Sequence, residues 1–224
     1  MGVVDAALQR LNGLLPLTAR QQALPPELAR LHRAILRGFV SRGRPLQAEE
    51  IAGLLGNIEP AAALERLAAD DLLVLDAARG AVLGAYPLTL EATPHRLTVN
   101  GFHVNAMCAL DALSVAPLFG MEVAIRSRCH ITGEVIVIRQ QGMELLEASP
   151  SRDIRLGVRW QDPQACAAHS LCLQMVFLKD AQIAHQWQGG NLQDIGLFDL
   201  DEAVAFGAAF FGPLLAVPQA LEQA

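Results

Sequence analysis

The sequence predicts an α+β protein in which a helical, winged-helix-like N-terminal subdomain, residues 1–86, is followed by a mixed-sheet core, residues 87–224. Apolar residues recur at helical spacing in the first seventy positions, whereas strand-like alternation dominates after residue 86. One helix that is apolar nearly all round interrupts those strands, and such a helix is usually buried. Of the 224 residues 52% are hydrophobic, enough for one domain with a small appendage or for two compact domains.

The N-terminal subdomain is predicted to contain helices followed by a hairpin, which is the order of a winged helix. Winged helices often bind DNA, and phosphate contacts then require Lys or Arg. The third helix of this unit offers a single basic residue, Arg66, so a packing or lid role is favoured. The expected elements are a loose helix at 1–24, helices beginning near 27, 51 and 60, and short strands at 72–76 and 81–86.

The core is predicted to alternate strands with two helices. The first of these is the apolar helix, and the second begins near Asp199, whose side chain caps it together with Glu202 three residues later. The expected elements are strands at 88–90 and 97–99, the apolar helix at about 103–118, a hairpin of 122–127 with 134–139, and strands at 154–160 and 170–178.

Composition excludes some classes of function. The formal net charge is -6 and the acidic residues are spread along the chain, which argues against a broad basic face for nucleic acid. No apolar run reaches the roughly 18 residues of a membrane span. The N-terminal stretch MGVVDAALQRLNGLL has no basic region ahead of an apolar one, so a cytoplasmic location is expected.

Four cysteines are the residues with the most distinctive chemistry. Cys108, Cys129, Cys166 and Cys172 match no C-x-x-C pattern, and in a reducing compartment they are expected to be free thiols. A free cysteine is often a small buried hydrophobe, so packing is the default interpretation of each.

The apolar helix brings one cysteine close to one carboxylate. Cys108 precedes Asp111 by three residues, which places both on one helical face. Asp111 is the only carboxylate between Glu91 and Glu122, and burial would raise its pKa and make it a proton carrier near neutral pH. The alternative is that Asp111 bonds a backbone N–H and Cys108 merely packs.

The strand predicted at 170–178 carries a second cysteine of interest. Its alternation assigns Leu171, Leu173, Met175 and Phe177 to a core face and Cys172 to the opposite face. Cys172 therefore faces either a site or, in the alternative, the N-terminal subdomain that covers it.

Several segments, taken in order, resemble the alkylmercury (organomercurial) lyases. The run Met-Cys-Ala-Leu-Asp-Ala-Leu at 107–113 is similar to the signature helix of that family, and the likeness covers roughly residues 70–215. Cys-Ala-Leu-Asp alone would be weak evidence, but together with the other cysteine segments it is strong. The further similar segments are 86–90, Ala116-Pro117, 127–133, 170–172, Trp187, Gly189 and 199–206.

The resemblance implies specific roles. Cys108 and Cys172 would be mercury-binding thiolates, Asp111 would be the proton shuttle, and all three would hold mercury transiently. Cys129 would be structural, whereas Cys166 has no counterpart and is interpreted as a loop or edge thiol. The resemblance implies no permanent cofactor, with Hg(II) as bound product. It also implies an organomercurial substrate, and low-molecular-weight thiols or a mercuric reductase as Hg(II) acceptor. The charge and the apolar runs described above predict neither a nucleic acid nor a membrane as partner.

Two positions depart from the family pattern. Leu173 stands where relatives often carry another cysteine, and Met107 replaces an aromatic residue before the first cysteine. Neither change removes a required group, but both would alter the shape of the pocket and the preferred substrate.

The hypothesis is that the chain is an organomercurial lyase that protonates the carbon of a carbon–mercury bond in mercury detoxification. Thiolates are the soft ligands that mercury prefers, and two of them make the carbon basic enough to take a proton from a nearby acid.

Two other classes stay open. A non-catalytic protein that binds or senses Hg or Cu would use the same cysteines without needing Asp111. A cysteine hydrolase would need a histidine near Cys108, and the candidates are His103, His130, His169 and His185.

Overall fold

Helices fill the first seventy residues of the chain, as the spacing of their apolar residues predicts. The computed structural model describes residues 2–216. The loose helix predicted at 1–24 is two helices, because Pro16 lacks a backbone N–H and stands at the N-cap of the second. The helices are α1 Val3–Leu14, α2 Leu17–Gln22, α3 Pro26–Arg42, α4 Ala48–Leu55 and α5 Pro60–Ala69.

Two sheets follow. The larger has eight strands in the order β1-β2-β3-β5-β4-β6-β7-β8, and the smaller has three in the order β10-β9-β11. The strands are β1 Leu73–Leu75, β2 Val82–Ala85, β3 Leu88–Thr89, β4 Arg96–Val99, β5 Phe102–Ala106, β6 Glu122–Arg128, β7 Val135–Gln141, β8 Glu144–Ser149, β9 Arg155–Arg159, β10 Met175–Leu178 and β11 Ile195–Phe198.

The α+β class is confirmed, but the prediction of a mixed sheet is wrong. Each strand pairing between residues 2 and 216 is antiparallel. The larger sheet is built largely from hairpins with short turns, which suit antiparallel pairing, whereas parallel neighbours need a long crossover. The predicted hairpin of 122–127 with 134–139 is present as β6 and β7.

The buried helix starts later than predicted. It is α6, Ala109–Phe119, and the residues from Phe102 to Ala106 form β5 instead. Asn100 and Gly101 both have positive φ and turn β4 back into β5, as Asn-Gly pairs do in tight hairpins. The spacing of the apolar residues does not predict this turn.

The strand predicted at 170–178 is also shorter. Only β10 is extended, and two 3₁₀ turns, Ala167–His169 and Cys172–Gln174, precede it. The side chain of Ser170 donates to the carbonyl of Cys166 and helps to close this turn region. Leu173, which the alternation assigned to the core face, is 60% exposed as a result.

The last predicted helix is confirmed as α8, Leu200–Phe211. Asp199 caps it, and Glu202 completes the capping box by accepting from the backbone N–H of Asp199. A further helix, α7, Ala181–Gln188, and the strands β8 and β11 were not predicted.

The core lies between the larger sheet and α8, with α6 inside it. Helix α6 packs on β5, β6, β7 and β10, and α8 lies across it with α1 on its other side. Residues 109–116 of α6 are all buried. Strands β1 and β2 precede residue 86 but belong to the same sheet as the later strands. The domain boundary at 86 stays a prediction, and residues 217–224 of the predicted core lie outside the described residues.

Among the helices of residues 2–216, none combines the length and apolar character that crossing a bilayer requires.

Candidate active site

Cys108 lies at the junction of β5 and α6 and caps the helix. Its backbone is extended, and its Sγ accepts a hydrogen bond from the backbone N–H of Asp111 at 3.3 Å. The three-residue spacing is therefore the relation between an N-cap residue and the third helical residue, not that of two neighbours on one helical face. The consequence for the site is the same, because thiol and carboxyl group come together.

The structure brings Cys172 to the same place. Sγ of Cys108, Sγ of Cys172 and a carboxylate oxygen of Asp111 all lie within 4.8 Å of one another. The three side chains are almost inaccessible, with exposed fractions between 1% and 3%. The two cysteines are 64 positions apart in the sequence, and they meet because β10, which directly follows the Cys172–Gln174 turn, packs against α6.

Asp111 is held as a neutral acid near pH 7. Burial raises the pKa of its carboxyl group to about 8, although hydrogen bonds with Cys108 act in the opposite direction. Its Oδ2 is buried and has no hydrogen-bond partner within the described part of the chain. A buried oxygen without a hydrogen-bond partner costs free energy. Contact with a bound molecule would offset that cost, and this oxygen is available for it.

Both thiols of the cluster are protonated in the resting site. Burial, the hydrogen bond to Cys172 and the nearby Asp111 raise the pKa of the Cys108 thiol well above its ordinary value. A hydrogen bond with Cys108 lowers the pKa of Cys172, but burial and the nearby Asp111 outweigh it and the pKa is raised. The cluster thus buries three neutral groups, which avoids the cost of buried charge.

Met175, which the predicted strand assigns to its core face, belongs to this cluster. Sδ of Met175 lies 3.7 Å from Sγ of Cys108, and Met175 is 2% exposed. It begins β10, directly after the turn that carries Cys172. In the sequence Met175 follows Cys172 by three residues. This spacing would bring the two side chains to one site if the segment formed a turn, whereas a strand was predicted there.

A cavity of about 430 Å³ adjoins the cluster, with Cys172 and Met175 in its lining. Met107, Leu173, His95 and Cys129 also line it. Both positions that depart from the family pattern thus line this cavity. A larger cavity of about 770 Å³ lies between α4, α5 and the β1–β2 hairpin, remote from the thiols, so size does not identify the site.

Cys129 is buried in the turn between β6 and β7 and lines the same cavity. Burial raises the pKa of its thiol, but hydrogen bonds from the Thr132 hydroxyl and from backbone N–H groups outweigh burial and the pKa is lowered. Its backbone N–H donates to the carbonyl of Glu134 and its carbonyl accepts from the N–H of Gly133, as suits a residue that shapes the turn. A structural role for Cys129 stays a prediction.

Cys166 is half-buried at the start of the first 3₁₀ turn. Its Sγ lies 3.5 Å from the hydroxyl of Tyr86, which donates to Asp71 at 3.0 Å and accepts from the N–H of Ala168 at 2.7 Å. Cys166 therefore touches a network that joins the turn region to the N-terminal helices.

No histidine completes a hydrolase triad with Cys108. In residues 2–216 the Sγ of Cys108 bonds Asp111 and Met175 and adjoins Cys172, and no histidine is among its hydrogen-bond partners. His103 contacts Thr98 on the face of the larger sheet, and His169 pairs with Glu91 at the surface. His95, which was not among the candidates, bonds Ser127, and burial lowers its pKa to about 4, so its ring is neutral.

Residues 88–212 match the family model described as MerB, alkylmercury lyase. The chain is 31% identical over 159 residues to the alkylmercury lyase of Staphylococcus epidermidis, covering 70% of each protein. It is 29% identical over 191 residues to that of Pseudomonas putida, covering 82% of this chain and 84% of the relative.

The fold also has a counterpart among solved structures. The crystal structure of the mercury-bound form of MerB2 superposes with a TM-score of 0.73 at 22% identity. The match covers 88% of this chain and 98% of that one, so the two share a fold over almost their whole length.

Proposed function

The chain belongs to the alkylmercury lyase family of enzymes, and we propose that it cleaves carbon–mercury bonds by protonolysis, giving a hydrocarbon and Hg(II), in mercury detoxification. The observation that carries the proposal is the burial of two thiols and one carboxyl group within 4.8 Å of one another. Mercury prefers thiolates, and the breaking bond needs a proton donor at its carbon. One cluster supplies both groups.

Cys108 captures the organomercurial first. A mercury–sulfur bond forms, the bond from mercury to the ligand that it arrived with breaks, and the Cys108 proton leaves with that ligand. The position of Cys108 at the start of α6 supports this step, because the N-terminus of a helix favours negative charge and the N–H of Asp111 already points at Sγ.

Cys172 then joins the metal, and Asp111 moves the proton. The carboxylate form of Asp111 takes the proton of the Cys172 thiol as the second mercury–sulfur bond forms. The resulting acid gives the proton to carbon as the carbon–mercury bond breaks with its electron pair on carbon. A pKa of about 8 makes both forms of Asp111 accessible near neutral pH, which is what a proton shuttle requires.

In the same proposal the substrate is a small organomercurial, and no permanent cofactor takes part. Hg(II) remains on Cys108 and Cys172 as product and passes in the cytoplasm to a low-molecular-weight thiol or a mercuric reductase. The helices α3 to α5 and the β1–β2 hairpin serve as a winged-helix-like packing unit, since α3 packs on β2 and β5.

A protein that only binds or senses soft metals such as Hg(II) or Cu(I) would use the same two thiols. Asp111 favours the lyase, because a thiolate pair that merely holds a metal has no need of a buried acid with a free oxygen. The two functions make different predictions for an organomercurial whose hydrocarbon can be measured.

The test is benzene release from phenylmercury in the presence of excess thiol, followed by gas chromatography. The unaltered chain is expected to turn over, and Asp111→Ala is expected to lower the rate by about 100-fold or more, because the proton donor is lost. Asp162→Asn, at an exposed carboxylate, is the matched control and should keep the full rate. Tight mercury binding without benzene would contradict the lyase and leave the metal binder.

A further inference from the structure

A third sulfur atom completes the lining of the site. Sδ of Met175 lies 3.7 Å from Sγ of Cys108, close enough to accept the S–H of that thiol. Cys108 and Met175 are 1% and 2% exposed, so this contact is buried. Met175 also lines the cavity through which Cys172 is reached.

The local backbone explains why Met175 points at the thiols. Residues Cys172–Gln174 form a 3₁₀ turn, and the N–H of Met175 bonds the carbonyl of Cys172. Met175 itself is extended, and its side chain and that of Cys172 line the same cavity. Pairing of Met175 with Val158 on the central strand β9 then fixes the position.

We propose that the thioether of Met175 is a third soft donor, which contacts mercury when Cys108 and Cys172 hold it. The inference rests on the proposed function and goes beyond it, since the lyase chemistry itself asks for two thiolates and an acid. The ligand class is the organomercury cation and, after protonolysis, Hg(II). Soft thioether sulfur suits such metals for the same reason that thiolate sulfur does.

The thioether differs from the thiols in a way that matters for a buried site. It carries no proton and no charge, so it is a donor at every pH, whereas a thiol must lose its proton to become a thiolate ligand. Met175 therefore offers mercury that is bound to Cys108 a sulfur contact that needs no loss of a proton. A lone pair of the same sulfur accepts the S–H of Cys108 and orients that thiol.

Met107 provides the matched control. It precedes Cys108 and lines the same cavity, but its terminal methyl group packs over Gly84 on β2. Leucine has nearly the volume of methionine and lacks the sulfur, so Met175→Leu and Met107→Leu change the packing of the cavity to a similar extent. Only the first removes the sulfur that faces Cys108.

The first experiment measures retention of Hg(II), independently of turnover. Reduced protein is loaded with one equivalent of mercuric chloride, challenged with rising glutathione and desalted, and the mercury that stays bound is quantified. Met175→Leu is expected to need on the order of tenfold less thiol for half-release, as is typical when one partner of a metal site is lost. Met107→Leu is expected to match the unaltered chain.

A second measurement serves if Met175→Leu does not fold. Selenomethionine-labelled protein, otherwise unaltered, is loaded with mercury, and X-ray absorption at the selenium edge is expected to show mercury as a scatterer. Labelled Met107→Leu should keep that signal. Undiminished retention in a folded Met175→Leu variant, or a selenium spectrum without mercury, overturns the role of Met175. Benzene release by the unaltered chain decides the lyase function separately.

Discussion

Asp111 holds a carboxyl group in surroundings that favour its neutral form. It is 2% exposed, and burial outweighs the hydrogen bonds with Cys108, so its pKa rises to about 8. The unfolded chain has no such burial, and its aspartate ionises near pH 4. Between these two values the folded chain binds one proton more than the unfolded chain at this position.

This difference predicts a pH-dependent stability. The contribution of Asp111 is fully present below about pH 4 and is lost as pH rises through about 8, because a rising pH favours the unfolded state that has already released the proton. Relative to Asp111→Asn, the free energy of unfolding should fall by about 1.4 kcal/mol per pH unit in that window. Urea unfolding from pH 4.5 to 8 measures it.

The control for this series is Asp162→Asn, which replaces an exposed carboxylate. Its free energy of unfolding should change with pH in the same way as that of the unaltered chain. A constant gap between the unaltered chain and Asp111→Asn across the pH range would show that the Asp111 carboxyl group is not held protonated.

At the scale of elements, the packing of α8 on α6 positions the helix that begins at Cys108. Gly207 of α8 lies so close to Ser114 of α6 that a Cβ at this glycine would overlap the hydroxyl oxygen. Both residues belong to the buried core of the molecule. The close approach of α6 and α8 therefore requires glycine at position 207.

Gly207→Ala is expected to destabilise the fold by about 1–3 kcal/mol, because the extra methyl group overpacks this contact. Ser114→Ala in the same chain removes the overlapping oxygen and should recover part of the loss, so the two changes are not additive. Thermal unfolding of the single and double variants measures the coupling. Gly53→Ala, in α4 with nothing within 4 Å, is the control and should not destabilise.

At the scale of the whole molecule, the N-terminal helices are connected to the turn that carries Cys172. Tyr86 donates to Asp71, which follows α5, and accepts from Ala168 in the first 3₁₀ turn. Asp71 also accepts from the N–H of Ala167 and pairs with Arg20 of α2. This network ties the start of the segment 166–174 to the N-terminal helices.

Tyr86→Phe should loosen that segment without changing the cluster chemically. The variant leaves the N–H of Ala168 and one oxygen of Asp71 without this partner, which costs about 1–3 kcal/mol. Hydrogen exchange is expected to accelerate in residues 166–174. The β6–β7 hairpin is the internal control, and equal acceleration there would indicate global destabilisation instead of a local restraint.

The sequence by itself determined much of this protein. Apolar periodicity located the helices α3 to α5, the β6–β7 hairpin and the α+β class, and a local capping pattern located the start of α8. Ordered cysteine segments were sufficient to identify the family. These features are local in the chain or repeat a pattern of residues, so they can be recognised without knowing which parts of the chain meet.

The tertiary structure decided what depends on distant contacts. Periodicity extended the buried helix back to residue 103, because Val104 and Ala106 are apolar in β5 just as they would be in a helix. For the same reason the alternation predicted a strand where Cys172 lies in a 3₁₀ turn, and it assigned Met175 to the face opposite Cys172. Cys108, Cys172 and Met175 meet only because α6 and β10 pack together, and packing between segments about sixty residues apart leaves no local pattern in a single sequence.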